Sequence, residues 1–218
     1  LDMDAFEVAL EGAKLVCVVH TSNVLGVRNP VEEIIALSKT VGAKVLLDAA
    51  QAVPHEMIDF RELGADFMAF SAHKMCGPTG IGALLVSSDA FSEMEPFMGG
   101  GDMIETVTLE GSTYQTNEHK FEAGTPRIAE GVGWAAALEW ISGIDLEAHH
   151  ARLLSIASDV AQQLRNRGMS VYSSLGPGDA AVVSFKDGIG VQTTLDDTPP
   201  SFTMLKMQAP TAYNTQII

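Results

Sequence analysis

Short apolar runs alternate with helical patterns along the first half of the chain. Four runs read as buried parallel strands: KLVCVVH (14–20), KVLLDAA (44–50), FMAFSA (67–72) and GALLVS (82–87). Between the first two lies NPVEEIIALSKTVGA, with Asn29 placed to cap a helix, Pro30 at its first position and Gly42 as its stop. That is a βαβ unit, and it predicts an α/β fold with both sheet faces covered. DFRELGAD supplies a second, shorter helical connection.

From Phe91 to Pro126 the chain is rich in Gly, Thr and acids, with FMGGGDMIETV at its centre. This reads as a long loop with one hairpin, and loops of such length in a domain are usually functional. Two helices follow, RIAEGVGWAAALEWIS (127–142) and DLEAHHARLLSIASDVAQQLRNRG (145–168), the second ending on Gly168. The second carries a broad apolar stripe from Leu146 to Leu164. Strand-like MSVYSS and AAVVSF then suggest the start of a smaller domain, and beyond Phe185 no sustained period remains. The expected organisation is a partial, mostly parallel α/β large domain (1–144), the start of a small α+β domain (145–185) and an irregular tail (186–218).

Composition narrows the class. Of 218 residues 46% are hydrophobic and 19% charged, the balance of a globular chain with a sizeable core. A net charge of -15 disfavours nonspecific nucleic-acid binding, because phosphates would be repelled. No apolar run reaches the roughly 18 residues of a membrane span. The opening LDMDAFEVAL has three acids and no basic cluster, unlike a secretory signal. Two cysteines, Cys17 and Cys76, are too few for a disulfide framework and suit a reducing, cytoplasmic setting. Cys17, inside an apolar strand pattern, is expected to be a buried core thiol.

Phe70–Ser87, FSAHKMCGPTGIGALLVS, concentrates the candidate chemistry. Read as a phosphate loop, GPTGIG fails, since a nucleoside-triphosphate loop needs Lys-Ser/Thr after its last glycine and a helix beyond. Here a strand follows Gly82. Read as a thiol site, Cys76 could be activated by Lys74 and His73, but no oriented base is specified. The third reading looks back to LLDAAQAVPH. Asp48 and Gln51 stand at the carboxyl end of one strand, and Ser71, His73 and Lys74 at the end of the next, where open α/β sheets bind ligands. An Asp and a Lys so placed match the needs of pyridoxal phosphate. The lysine amine links to the aldehyde, and a buried carboxylate keeps the pyridine nitrogen protonated, so the ring withdraws electrons. Ser and His can hold the phosphate.

At this point the sequence resembles a family. DAAQAVPHEMIDFRELGADFMAFSAHKMCGPTGIGAL looks like the cofactor segment of class V, fold-type I pyridoxal-phosphate enzymes, and is most similar to the Suf-type (group II) cysteine desulfurases and the related selenocysteine lyases. HTSNVLG (20–26), GGGDMI (99–104) and FEAGTPRIAEGVGWAAALEW (121–140) match in the same order. The resemblance implies that Lys74 is the Schiff-base lysine, that Asp48 pairs with the pyridine nitrogen and that Gln51 bonds the phenolic oxygen. It further implies Ser71 and His73 at the phosphate and Asn23 near the cofactor and the substrate carboxylate. Thr125 would reach the phosphate of the other subunit's cofactor in a homodimer with shared sites. Two plainer roles stand beside these: Asn23 shaping a turn before Gly26, and Thr125 capping the helix after Pro126. His20 and His55 read as structural, and His119, His149 and His150 as surface or helix-face residues outside any metal spacing.

The implied activity removes sulfur from L-cysteine, or selenium from L-selenocysteine, to leave alanine, and passes sulfur to an acceptor protein for iron–sulfur cluster assembly. Rival readings are another class V reaction, such as an aminotransferase or epimerase, and a non-catalytic paralogue. Two family features are missing from the chain: the preceding segment with its phosphate-binding helix and ring-stacking His, and the downstream loop with a nucleophilic Cys and a carboxylate-clamping Arg. Residues 186–218 hold no Cys, His or Arg. A fragment, a frame-disrupted product or a truncated paralogue is the expectation that follows.

Overall fold

In the computed structural model the described residues are 1–186 and the strand at 203–206. Helix α1 (Met3–Ala9) starts on Asp2, whose carboxylate accepts the Ala5 N–H and so satisfies one of the donors that a helix start leaves free. Strand β1 (Leu15–Val19), helix α2 (Val31–Thr40) and strand β2 (Lys44–Asp48) form the βαβ unit, with β1 and β2 parallel and Val19 opposite Asp48. The start of α2 differs from expectation. Its cap position is Pro30, with no side-chain cap, because Asn29 donates its amide to the Val19 carbonyl at 2.8 Å. Asn29 thus ties the end of β1 rather than the helix. Gly42 closes the turn after α2 at φ 74.

Helix α3 (Phe60–Leu63) is capped by Asp59, which accepts from Arg61 and Glu62 N–H, and stops on left-handed Gly64. Strand β3 (Phe67–Ser71) adds parallel to β2, and strand β4 (Gly82–Val86) pairs with β3 in antiparallel fashion, giving the order β1-β2-β3-β4. This corrects the expectation of four parallel strands. A parallel return requires a crossover of about a dozen residues or more, and the chain between Ser71 and Gly82 is spent on tight turns.

One face of this sheet is packed by α2. Val31 and Ile35 of the helix meet Val45, Leu47, Ala49 and Met68 in a closed core. The other face is open among the described residues. Side chains two apart along a strand share a face, and Leu15, Cys17 and Val19 are all exposed, as is Leu84 on β4. Cys17 is therefore an exposed thiol, not the buried one expected.

Helix α4 (Ser88–Glu93), capped by Ser87, opens the long connecting segment. That segment contains one hairpin, strands β5 (Ile104–Val107) and β6 (Ser112–Tyr114), closed by a Thr106–Thr113 hydroxyl bond, and a 3-10 turn at Glu118–Phe121. Helix α5 (Ile128–Ser142) packs Trp134 edge-on against Phe70, with ring centroids 5.9 Å apart. Helix α6 (Leu146–Asn166), capped by Asp145, buries Leu153, Ala157 and Ala161 against Ala181 and Val183. Beneath it lies an antiparallel sheet of β7 (Ser170–Val171), β8 (Val182–Lys186) and β9 (Thr203–Lys206). So the segment expected to be irregular contains a strand; residues 187–202 and 207–218 lie outside the described residues. No described helix is long and apolar enough to cross a membrane.

Candidate active site

Main-chain bonds hold the carboxyl ends of β1, β2 and β3 level. The His20 N–H donates to the Asp48 carbonyl at 2.8 Å, and the Ala49 N–H to the Ala69 carbonyl at 2.9 Å. Asp48 is thereby fixed as the last residue of β2, with Ser71 at the corresponding end of β3. The Asp48 carboxylate accepts the Ala50 N–H at 3.0 Å. It was expected to be buried and is exposed, on a sheet edge that nothing described here covers.

Lys74 follows Ser71 on a 3-10 turn, Ala72–Lys74. The turn has a firm base. Ala72 and Met75 are buried against Trp134, and the Ala72 carbonyl accepts both Met75 N–H (2.8 Å) and Gly77 N–H (2.9 Å). His73 points outward, while Lys74 and Ser71 are half-buried. Gly77 is required: a Cβ there would lie 2.8 Å from Trp134 Cδ1 and 3.0 Å from the Ala72 carbonyl oxygen. The glycines of GPTGIG thus let the chain turn beside Lys74. Cys76 takes φ 58 and is exposed. Packing around its thiol raises its pKa by penalising the thiolate. That opposes the activated-thiol reading, which needed the reverse shift.

Gln51 stands three residues past the end of β2. Its Nε2 is buried with no hydrogen-bond partner. Asn23 occupies the turn Ser22–Gly26, closed by Gly26 N–H to the Ser22 carbonyl, and is exposed. Asp48, Ser71, His73 and Lys74 are brought to one sheet edge, and the Asn23 turn leaves β1 at that same edge. Thr125 lies on the loop before α5, which Gly124 ties to Gly101 at 2.9 Å. It does not cap α5, whose cap position is Arg127 with no side-chain bond.

A second polar group lies behind this edge, and sequence reasoning read its histidines only as structural or helix-face residues. His20 is 1% exposed; its Nδ1 is 3.0 Å from Thr21 Oγ1 and 3.6 Å from Glu56 Oε1. Burial, then the Arg28 charge, lower its pKa to about 4, so the ring is neutral near pH 7 and the Glu56 contact is not an ion pair. Burial pushes the Glu56 carboxyl upward. A small cleft lined by Thr21, Gln51, His55, Glu56 and His150 opens here. His150, from α6, brings its ring within 6.1 Å of His55, and burial lowers its pKa. His119 sits on the surface, 3.8 Å from Glu122.

The chain is similar to known proteins in sequence and in fold. The family model described as aminotransferase class-V matches residues 1–193. A cysteine desulfurase of Haloferax volcanii is 44% identical over 189 residues, 85% of this chain and 44% of that protein. A probable cysteine desulfurase of Streptomyces coelicolor is 41% identical, across 85% of this chain and 49% of that protein. Among solved structures, a cysteine desulfurase of Escherichia coli superposes with a TM-score of 0.80 at 32% identity, covering 87% of this chain and 47% of that one. That of Thermococcus onnurineus gives 0.78 at 38%, covering 86% and 48%. The chain spans about half the length of the curated relatives it matches.

Proposed function

The chain belongs to the aminotransferase class-V family, and on that premise we propose that it carries the cofactor site of a Suf-type cysteine desulfurase. The whole enzyme built around such a site would hold pyridoxal phosphate and convert L-cysteine to alanine, passing the sulfur to an acceptor protein for iron–sulfur cluster assembly. This chain supplies the cofactor residues, and residues 186–218 contain no cysteine to take the sulfur. The observation that carries this reading is the pairing of Asp48 with the Lys74 turn on adjacent strand ends.

The residues present fit the cofactor. Gln51 Nε2 is a buried donor without an acceptor, a state that costs about 1–3 kcal/mol, and the cofactor's phenolic oxygen is an acceptor. Lys74 offers the amine for the aldehyde. Asp48 offers a carboxylate for the ring nitrogen, and Ser71 and His73 offer donors for the phosphate. When bound, the cofactor withdraws electrons from the substrate Cα. Lys74 would then carry a proton to and from that carbon, a task suited to a half-buried amine on a firmly packed turn. Asn23 would orient the substrate carboxylate. Thr125 would act across a homodimer interface, on the phosphate of the partner subunit's cofactor. L-selenocysteine is the alternative substrate. The free thiols of Cys17 and Cys76 are in keeping with a reducing, cytoplasmic setting.

Lys74→Ala tests the reading. With pyridoxal phosphate the protein should show a visible cofactor band, and alanine release from L-cysteine should appear only where a sulfur-accepting cysteine is present beside these residues. The variant should lose the band, and turnover should fall by about 10²–10⁴-fold. A variant that retained both would overturn the assignment of Lys74.

A further inference from the structure

Asn23 gains its position from residues about 150 places away in the chain. Its turn is closed locally: Ser22 N–H donates to the Val27 carbonyl, Gly26 N–H to the Ser22 carbonyl, and the Ser22 hydroxyl accepts Val24 and Leu25 N–H at 3.2 and 3.1 Å. The loop between β7 and β8, with β8 itself, then grips it from outside. The Asp179 carboxylate accepts the Arg28 N–H at 2.9 Å. The Ala180 N–H donates to the Gly26 carbonyl at 2.7 Å, and the Ser184 hydroxyl donates to the Val24 carbonyl. Gly26 has no room for a side chain, since a Cβ would sit 2.6 Å from the Ala180 carbonyl oxygen. Main-chain groups of Ser22, Val24, Leu25 and Gly26 are thus bonded on both sides of Asn23, which stands exposed at the tip with Val24 and Leu25.

Asp179 organises this grip. It is 7% exposed, and a buried carboxylate is tolerated only when hydrogen-bonded. Here one oxygen takes Arg28 N–H and the other takes Gly176 N–H at 2.8 Å together with the Ser174 hydroxyl. The same carboxylate thus shapes its own loop and holds the turn. Its bonds go to none of Lys74, Asp48 and Asn23, and its link to the Asn23 turn is the Arg28 N–H just beyond the turn's end.

We propose that Asp179 is a positioning residue for Asn23, fixing the Ser22–Gly26 turn at the carboxyl edge of β1–β3 and so coupling the α6–β8 unit to substrate binding. The proposal rests on the reading above, in which Asn23 orients the substrate carboxylate. Supporting side chains that lock a binding group in place are worth as much as the group itself when small displacements matter.

Two measurements on the holoprotein test it. In Asp179→Ala, amide hydrogen exchange at Gly26 and Arg28 should accelerate about tenfold or more, while Val45 and Leu47 amides keep their protection. KM for L-cysteine should rise about tenfold with a smaller change in kcat. Asp179→Asn, which keeps an acceptor for Arg28 N–H, should restore most of both. In an Asn23→Ala background, Asp179→Ala should add nothing to KM. Unchanged exchange in the turn, or KM effects that simply add, would overturn the proposal. If Asp179→Ala does not fold, Ser184→Ala removes only the hydroxyl on the Val24 carbonyl, and should speed exchange in the same amides; no change there overturns the coupling. Should the parent fail to turn over cysteine with a sulfur-accepting cysteine present, the desulfurase reading falls while the exchange measurement still decides whether Asp179 holds the turn.

Discussion

His20 links the end of β1 to the candidate site through its main chain and is sealed beneath it by burial. Its neutral ring has a consequence for stability. In the unfolded chain a histidine titrates near 6.5, whereas here protonation waits until about pH 4. Between those values the unfolded state binds a proton that the folded state refuses, so stability falls as pH drops through that window and levels off below it. The expected loss is about 1–3 kcal/mol. Glu56 works in the opposite sense, because its raised pKa favours the folded state at low pH and that contribution is lost as pH rises. Urea midpoints from pH 4 to 7 for the parent and His20→Gln separate the two. The difference between them should shrink as pH falls, and a constant difference would show that His20 does not titrate as its burial demands. Individual residues of the site were legible in the sequence to a similar, uneven degree. Lys74, Ser71 and Asp48 announce themselves because strand ends and turn formers bracket them. The exposure of Asp48 and the orphaned amide of Gln51 depend on what packs nearby in space, which no local pattern encodes.

At the scale of elements, start and stop residues marked α2, an apolar stripe marked α6, α5 was expected within one residue of where it lies, and runs of aliphatics marked β1 to β4. Strand direction was not in those runs. A short apolar strand looks the same whichever way it points, and β4 reverses only because residues 72–81 turn too tightly for a crossover. Likewise the clamp on the Asn23 turn joins residues separated by about 150 positions, and neither Asp179 nor Gly26 carries a local signature of it. Gly26 gives the element-scale prediction. It combines φ 76 with a Cβ position 2.6 Å from the Ala180 carbonyl oxygen. Gly26→Ala must strain the turn or push the β7–β8 loop away, and should destabilise by about 1–3 kcal/mol. Chemical denaturation checks this directly. Gly12→Ala is the comparison, because Gly12 has a similar φ of 73 but open space around its Cβ. If both variants lost the same stability, backbone strain alone would explain Gly26 and the close approach of Ala180 would be irrelevant.

Across the whole molecule, acidic groups outnumber basic ones by 28 to 13, a net charge of -15. The attractive pairs among the described residues do little against this. Arg28–Glu32, Lys44–Glu93 and Arg127–Glu130 are partly or largely exposed, and such pairs contribute about 0–1 kcal/mol each before salt screens them. Repulsion among the remaining carboxylates acts over the whole surface, with a reach of about 10 Å at 0.1 M salt. Screening therefore removes more repulsion than attraction, and the folded state, which holds the charges closer together than the unfolded chain, gains from it. Raising sodium chloride from about 0.02 to 0.5 M at pH 7.5, which contracts the screening length to a few ångströms, should shift the urea midpoint upward. The effect should weaken toward pH 4.6, where the calculated charge vanishes. A midpoint that fell with salt at pH 7.5 would mean that the few ion pairs outweigh the collective field, and Arg28→Gln, which removes the closest of those pairs at 2.7 Å, would then be the variant to abolish the fall.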